Sequence, residues 1–206
     1  MKLLWLGIAA GAFQVLGYIL YIRGSLRNEI SPNAASWFMF SYGTALLGVL
    51  EFSRGAEIEL LILPALCATL SIFVAALCWR RGTLHWPKEW QDQLAFVADV
   101  ALTIAYFVAW SLAAWGALSE EGRGHANLTF LVLSNLTTMT SFAPLIRGVK
   151  SGTARECSGP WVAWACAYTL LVAVTFAKEG FWTDLMMYPA LNVYLHWRVA
   201  WLASRR

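Results

Sequence analysis

The chain has 206 residues, of which 59% are hydrophobic and only 13% are charged, and its mean hydropathy is +0.57. Soluble domains carry roughly 45–50% apolar and ~25% charged residues, so this composition excludes a disordered chain and argues against a water-soluble fold. The net charge of +3 comes from basic residues scattered over short connections, a distribution that argues against nucleic-acid binding.

Seven apolar segments are candidates for membrane-spanning helices, each of which needs ~20 mostly apolar residues. The first, third, fifth and sixth contain no charged residue, whereas the fourth carries Asp99 and the seventh carries Arg198 near its end. The sequence therefore predicts an all-α, polytopic membrane protein. In chain order the segments are Leu3–Tyr21, Ala34–Leu50, Leu60–Trp79, Leu94–Leu118, Asn127–Ile146, Ser158–Ala177 and Leu185–Ala203.

The start of the first segment also has features of a secretory signal peptide. Lys2 precedes an apolar run, and small residues follow at positions 9–12. We favour a spanning helix because the apolar run continues to Tyr21 and because this segment has a counterpart later in the chain.

The distribution of lysine and arginine predicts the orientation. The connections after the first, third and fifth segments, together with the C-terminal end, hold 11 of the 15 basic residues. Cytoplasmic loops are enriched in these residues. We therefore expect the N-terminus outside and the C-terminus in the cytoplasm, in a plasma or inner membrane.

The chain contains two similar units. Ile22-Arg23-Gly24 recurs as Ile146-Arg147-Gly148 at an offset of 124 residues, and after one inserted loop residue the offset becomes 125. Both motifs fall on the predicted cytoplasmic side, so the two copies are parallel. One connecting helix between two three-helix units restores that orientation. The matched positions include Trp37 with Trp161, Leu46-Leu47 with Leu170-Leu171, and Pro64-Ala65-Leu66 with Pro189-Ala190-Leu191.

The predicted units are residues 1–82 and 119–206, with a cytoplasmic loop and a linker helix in residues 83–118. Parallel repeats of this kind are a device of membrane transporters. The layout resembles the SWEET and PQ-loop transporter superfamily. The stretch Thr137–Arg147, followed by a short basic loop and Pro160-Trp161, is similar to the first helix of that family's repeat, with Leu145 in place of a glutamine. The resemblance implies seven helices in two bundles and a solute site between them.

Several polar residues at mid-depth are candidates for that site, because polar side chains are costly in hydrocarbon. Asn192 matches the position where the resembling family places a substrate-binding asparagine, His196 shares its helical face, and Cys67 is its counterpart in the first unit. Gln14 and Thr138 occupy equivalent positions in the two units. A helix–helix hydrogen bond is the alternative role for each.

Aromatic residues form a second pattern. Trp164 and Tyr168 lie deep in the sixth segment, where they can stack on a sugar or a heterocycle. For Trp37 and Trp161, which lie near the cytoplasmic end, we expect an interfacial belt instead. The same belt is expected for Trp79, Trp86, Trp90, Trp182 and Trp201.

Other intramembrane residues have predicted structural roles. Pro64, Pro144 and Pro189 are candidate hinges. Asp99 is a candidate for proton coupling, but we expect it to snorkel or to pair with a loop arginine. The four cysteines lack metal-ligand spacing, so the sequence predicts no metal site, no disulfide and no cofactor.

Together these features predict a transporter of a small polar solute, with sugar preferred and a vitamin-like heterocycle or an amino acid next. A non-transporting binding or sorting receptor on the same fold is the alternative. No catalytic motif is present, so we do not expect an enzyme. The expected partners are the solute, the lipid bilayer and a possible second copy of the chain in a homo-oligomer.

Overall fold

A computed structural model describes residues 2–82 and 89–205. Over these residues the protein is all-helical, which confirms the all-α part of the predicted fold, with seven long helices and a single 3₁₀ turn, Asp184–Met186, before the last. The helices are α1 (Lys2–Leu26), α2 (Ala34–Ser53), α3 (Ile58–Arg80), α4 (Trp90–Ala114), α5 (Glu120–Ser151), α6 (Ser158–Glu179) and α7 (Met187–Ser204).

Most helices extend beyond the predicted apolar segments, because helical hydrogen bonding continues into polar flanking residues. α5 begins at Glu120 rather than Asn127. The Ser119 side chain caps this start by accepting a hydrogen bond from the Gly122 amide at 3.1 Å. Two helices are shorter at one end: α7 begins at Met187 rather than Leu185, after the 3₁₀ turn, and α4 ends at Ala114 rather than Leu118. Two residues later Gly116 has a φ of +74°, a left-handed conformation that terminates a helix.

The outer surface of the bundle is apolar. Ile19, Ile72 and Ile104, on three different helices, are each more than half exposed. Five helices, α1, α3, α4, α5 and α6, are long and apolar enough to cross a membrane. Contiguous apolar surface of this extent suits lipid rather than water. The protein is therefore a multi-pass membrane protein.

The helices pack in a regular pattern. α1 packs against α3 and α6, and α5 packs against α7 and α2. α2 also packs against α3, and α6 against α7. α4 lies at the periphery, mainly against α5, and its buried residues form one stripe: Asp92, Ala95, Asp99, Leu102 and Tyr106.

The two Ile-Arg-Gly motifs end in the same turn. The Gly24 carbonyl accepts a hydrogen bond from the Ile30 amide, and the Gly148 carbonyl accepts one from the Ala154 amide. A Cβ on Gly24 would lie 2.7 Å from the Ile30 side chain, and one on Gly148 would lie 2.9 Å from the Ala154 Cβ. Glycine thus lets each connection fold back onto its helix.

Two ends of the bundle are used below. The basic end is formed by residues 27–33 and 152–157, and the acidic end by residues 54–57 and 180–184. One apolar core cluster lies toward each end: Leu47, Leu50 and Tyr188 belong to the cluster near the acidic end, and Tyr21, Ile30 and Trp161 to the one near the basic end.

Candidate binding site

A cavity lies between the two core clusters, inside the bundle. All seven residues that the sequence predicts to bind solute line it, although they come from five different helices. They are Gln14, Cys67, Thr138, Trp164, Tyr168, Asn192 and His196. The other lining residues are Tyr18, Trp37, Phe40, Thr44, Phe142, Trp161 and Tyr188.

Most of these residues occupy equivalent positions in the two units. Twelve of the fourteen lining residues form six pairs at the offsets of 124 and 125 found in the sequence. The cavity is therefore lined by matching positions of both predicted units, and five of the six pairs combine different side chains. The pairs are Gln14 with Thr138, Tyr18 with Phe142, Trp37 with Trp161, Phe40 with Trp164, Thr44 with Tyr168, and Cys67 with Asn192.

Gln14 and His196 each offer a hydrogen-bond acceptor to a ligand. Gln14 Oε1 is buried and has no hydrogen-bond partner among the described residues. His196 Nδ1 lies 2.7 Å from the Asn192 carbonyl oxygen, which can only accept. In the neutral ring Nδ1 therefore carries the hydrogen and Nε2 remains an acceptor. Asn192 itself donates from Nδ2 to the Tyr188 carbonyl at 2.9 Å.

A network of hydroxyl and thiol groups crosses the cavity toward the acidic end. The Tyr18 hydroxyl lies 2.6 Å from Ser71 Oγ and 3.4 Å from Cys67 Sγ. The Tyr168 hydroxyl donates to Cys67 Sγ at 3.7 Å and lies 2.8 Å from the Tyr188 hydroxyl. Each of these groups can donate and accept, so the network has no fixed direction.

Trp164 fills the space between α6 and α1. Its Nε1 donates to the Gln14 carbonyl at 3.1 Å, and its ring centroid lies 5.0 Å from that of Tyr18. A Cβ on Gly17 would meet the Trp164 indole at 2.3 Å. The absence of a side chain at Gly17 therefore permits Trp164 to reach α1.

The basic end is closed by aromatic residues around one carboxylate. Tyr21 Oη and Trp161 Nε1 each donate to the Glu156 carboxylate at 2.9 Å, and Trp37 Nε1 donates to Tyr21 Oη at 2.9 Å. The exposed fractions of Trp37 and Trp161 are only 2% and 1%. The belt prediction for these two residues is wrong, because the loop carrying Glu156 covers them.

The remaining belt tryptophans differ from that pair. Trp79, Trp90, Trp182 and Trp201 are all exposed, as an interfacial belt requires. Trp86 lies outside the described residues.

Glu156 lies in the connection between α5 and α6, outside the helices. Burial of its carboxylate raises its pKa from the ordinary 4.5 to about 8, and the hydrogen bonds from Trp161 and Tyr21 partly oppose this shift. The carboxyl group therefore changes its charge at physiological pH.

The backbones of the two units also meet at the basic end. The Ser31 amide donates to the Arg155 carbonyl at 2.9 Å, and the Arg155 amide donates to Ser31 Oγ at 2.7 Å. Ser31 and Arg155 are equivalent positions at the offset of 124. The contact therefore joins equivalent positions of the two predicted units.

The acidic end is closed by ion pairs. Arg54 pairs with Asp184 at 2.7 Å, and Lys178 pairs with Glu57 at 2.5 Å and with Glu59 at 3.2 Å. Glu59 and Asp184 are equivalent positions at the offset of 125. All three pairs join residues that precede position 82 to residues that follow position 119.

With both ends closed, the cavity is small. The volume open to the centre of a water molecule inside it is about 20 Å³, which is room for about one water. Pockets that hold drug-sized ligands measure roughly 300–1,000 Å³. The structure is therefore a closed conformation in which the aromatic walls contact one another.

One of the three candidate hinges differs from expectation. Pro64 and Pro144 lie inside α3 and α5, but Pro189 lies in the first turn of α7, where it removes no hydrogen bond from the middle of a helix.

The predicted pairing of Asp99 with an arginine also differs from the structure. Arg147 pairs with Asp92, not Asp99. Asp99 is buried against Thr137 and forms no ion pair with any described residue, so its predicted pairing is wrong.

Sequence reasoning did not single out Tyr18, Tyr188 or Glu156. Tyr18 could have been found as the equivalent of Phe142, and Tyr188 lies one turn before Asn192. Glu156 carried no signal, because a loop carboxylate gives no indication of what it covers.

The chain was compared with protein-family models, with curated proteins and with solved structures, and none of the three comparisons finds a match. The likeness to the SWEET and PQ-loop superfamily therefore stays a prediction.

Proposed function

We propose that the protein is a membrane carrier that moves a small polar solute by alternating access between two three-helix units, residues 1–82 and 119–206. One observation carries this proposal. The cavity is lined by six pairs of equivalent residues, and contacts between the two units close it at both ends. Alternating access needs such a site, with an opening on one side at a time.

The packing of the helices supports a 3+1+3 arrangement. If α1, α2 and α3 are exchanged for α5, α6 and α7, the contact of α1 with α6 becomes that of α5 with α2. The contacts of α1 with α3 and of α2 with α3 become those of α5 with α7 and of α6 with α7. Peripheral α4 has no counterpart, as expected for a linker helix.

The lining favours a neutral solute. None of the described residues around the cavity is an aspartate, glutamate, lysine or arginine. Aromatic faces such as Trp164 suit an apolar ring face, and the acceptors Gln14 Oε1 and His196 Nε2 suit hydroxyl or N–H donors. A sugar is the preferred substrate, followed by a vitamin-like heterocycle or an amino acid.

The two closures suggest how the carrier moves. Each one joins residues of both units, so opening the basic end requires loss of the Tyr21–Glu156 hydrogen bond, and opening the acidic end requires loss of the Arg54–Asp184 pair. We infer that one closure holds while the other opens. Pro64 and Pro144 lie within α3 and α5 and are the candidate hinges.

We place the protein in a plasma or inner membrane. In the proposed orientation the N-terminus is outside and the basic end faces the cytoplasm. The excess of lysine and arginine in the connections after the first, third and fifth predicted segments and at the C-terminal end supports it. Protease protection of a tag fused to the C-terminus in sealed cells tests it. Cleavage of that tag from outside would overturn the orientation.

The solute can be found from stability. We would measure the thermal unfolding of the purified protein against sugars, nucleosides, amino acids and vitamins. A ligand at ten times its dissociation constant adds ~1.4 kcal/mol to the free energy of unfolding. Asn192→Ala and Trp164→Ala should abolish the stabilisation, and Trp197→Ala, an exposed position on α7, is the matched control.

Flux then separates a carrier from a receptor. The stabilising solute should equilibrate across vesicles that contain the protein, and both cavity variants should slow it. Binding without flux would replace the carrier with a receptor on the same fold. Unchanged flux in Asn192→Ala and Trp164→Ala would refute the site.

A further inference from the structure

A second pocket opens on the outer surface of the bundle, close to the acidic end. It measures about 300 Å³ and is lined by residues of α2, α4 and α5, none of which lines the central cavity. Phe52 and Trp110 flank it and are 69% and 59% exposed. Arg123 and Asn127, both on α5, line it as well. The pocket therefore combines aromatic side chains with polar ones at the surface that faces lipid.

Two polar groups of this pocket are free to bind a ligand. Arg123 and Asn127 are four residues apart, so their side chains lie on the same face of α5. Neither side chain forms an ion pair or a hydrogen bond with a described residue. Two other cations at the acidic end, Arg54 and Lys178, are instead paired with carboxylates. The pocket thus presents a positively charged donor and a neutral amide donor side by side.

The pocket also suits a negatively charged group. The described residues that line it include no aspartate or glutamate. Glu120 and Glu121 belong to the first turn of α5, but both are exposed and neither lines the pocket. The hydroxyl groups of Ser53 and Tyr106 lie 3.1 Å apart and bind each other. An anion can therefore approach Arg123 without meeting a carboxylate inside the pocket.

An apolar groove adjoins this pocket. It follows the contact between α4 and α5 toward the basic end, has a volume of about 710 Å³, and has no charged side chain among the described residues that line it. Ala105 and Phe130 line the groove. Ala109 and Ala126, each one helical turn away from them, line the pocket. The pocket and the groove therefore follow one another along the same two helices.

The length of this path matches one membrane leaflet. Leu133, which lines the groove, follows Arg123 by ten residues, a distance of ~15 Å along a helix. The hydrocarbon core of a bilayer is about 30 Å thick, so one leaflet supplies about half of that. A molecule with an anionic head at Arg123 and an apolar chain as long as a leaflet fits both parts of the path.

We propose that the pocket and the groove bind a phospholipid from the leaflet at the acidic end. Its phosphate is held by Arg123 and Asn127, and one acyl chain lies along α4 and α5. Arginine binds phosphate strongly because several N–H groups donate to it, and tryptophan is enriched at the depth of lipid headgroups, where Trp110 lies. The lipid fills the outer side of the contact between peripheral α4 and α5. This site does not depend on the proposed carrier function.

Native mass spectrometry of the full chain in detergent tests the headgroup contact. The delipidated protein is titrated with dioleoylphosphatidylglycerol, and the bound lipid molecules are counted. We expect one lipid to bind more tightly than the rest, and Arg123→Gln to weaken it roughly tenfold, because charge-assisted hydrogen bonds to the phosphate are lost. Lys2→Gln removes a positive charge from the same end outside the pocket, and it should leave binding unchanged.

Ala98→Phe tests the groove without changing a charge. Ala98 is exposed and lines the groove, so the added ring takes space from the acyl chain without entering the protein core. The tight lipid should be lost or weakened. Val108→Phe adds the same ring at an exposed position of α4 outside the groove, and it should have no effect.

Three results would overturn the proposal. Unchanged lipid affinity in Arg123→Gln would exclude the headgroup contact. Inorganic phosphate that displaces the lipid at equal concentration would assign the pocket to a free anion, since phosphate has no chain. A dimer that excludes the lipid and that Ala98→Phe dissociates would assign the groove to a second copy of the chain.

Discussion

The two ends of the bundle are closed by different chemistry. At the basic end the Glu156 carboxylate is held by Tyr21 and Trp161, and the neighbouring Trp37 is almost fully buried. At the acidic end the contacts are ion pairs, and 63% of the Glu57 side chain is exposed. The residues before position 82 and those after position 119 thus meet through a buried network at one end and through partly exposed ion pairs at the other.

This difference predicts that the two closures differ in stability and in the conditions that open them. Buried hydrogen bonds are costly to break because their partners stay unsatisfied, whereas exposed ion pairs gain little and are screened by salt. The acidic end should therefore open more readily, and ionic strength should affect it. The basic end should hold more firmly and respond to pH.

The largest effect is expected from Tyr21→Phe. The substitution leaves Trp37 Nε1 and Glu156 Oε1 without their hydrogen-bond partner in a buried site. It should lower the free energy of unfolding by about 1–3 kcal/mol, measured by thermal or denaturant unfolding in detergent. Tyr194→Phe, at an exposed tyrosine, should be nearly neutral. Equal effects of the two substitutions would contradict the basic-end network.

Glu156→Gln should change how stability depends on pH. The pKa of Glu156 is raised to about 8, so the folded protein keeps a proton that the unfolded chain releases near 4.5. The wild-type free energy of unfolding should therefore fall as pH rises between these two values, and the fall should be complete above the higher one. Unfolding curves at several pH values should show a shallower decline for Glu156→Gln. Parallel declines would mean that Glu156 is not the responsible group.

Ser31→Ala removes one side-chain hydrogen bond between the units, the one from the Arg155 amide at 2.7 Å. Since the site is partly exposed, water can replace the hydroxyl, and we expect a loss of about 0.5–1 kcal/mol. The backbone bond from the Ser31 amide to the Arg155 carbonyl should persist. A loss as large as that of Tyr21→Phe would show that the backbone contact had failed as well.

The smallest effect is expected at the acidic end. Arg54→Gln breaks an ion pair whose side chains are 30% and 21% exposed, and it should cost ~0.2–1 kcal/mol at low salt. The difference from wild type should vanish in high salt, because the charges are screened. Ser31→Ala is the control, since its effect should not depend on salt. A salt-independent effect of Arg54→Gln would contradict the comparison between the ends.

The sequence predicted the helices well because each apolar run had to span lipid, and a run of that length has few alternatives. It also grouped Gln14, Thr138, Cys67 and Asn192 as candidates for one site, and all four line the cavity. It placed Trp37 and Trp161 wrongly because depth along one helix does not reveal what covers its end. The cover is the loop at Glu156, which only the assembled bundle shows.

Helix ends and ion pairs were harder to predict for a related reason. The run to Leu118 is apolar throughout, but the left-handed Gly116 ends α4 earlier. α4 carries two carboxylates, Asp92 just before the predicted fourth segment and Asp99 within it, and which one Arg147 meets depends on the rotation of α4 against α5. That rotation places Asp92 at Arg147 and turns Asp99 toward Thr137.

Cys67 lines the cavity, where its thiol lies within hydrogen-bonding distance of two tyrosine hydroxyls and between the two closed ends. A thiol in this position reacts with a membrane-impermeant alkylating reagent only while one end is open. In a variant that keeps Cys67 as its sole cysteine, the labelling rate from each face of the membrane reports how much of the time that end is open. The protein thus carries its own reporter of conformational kinetics, with no label to be introduced.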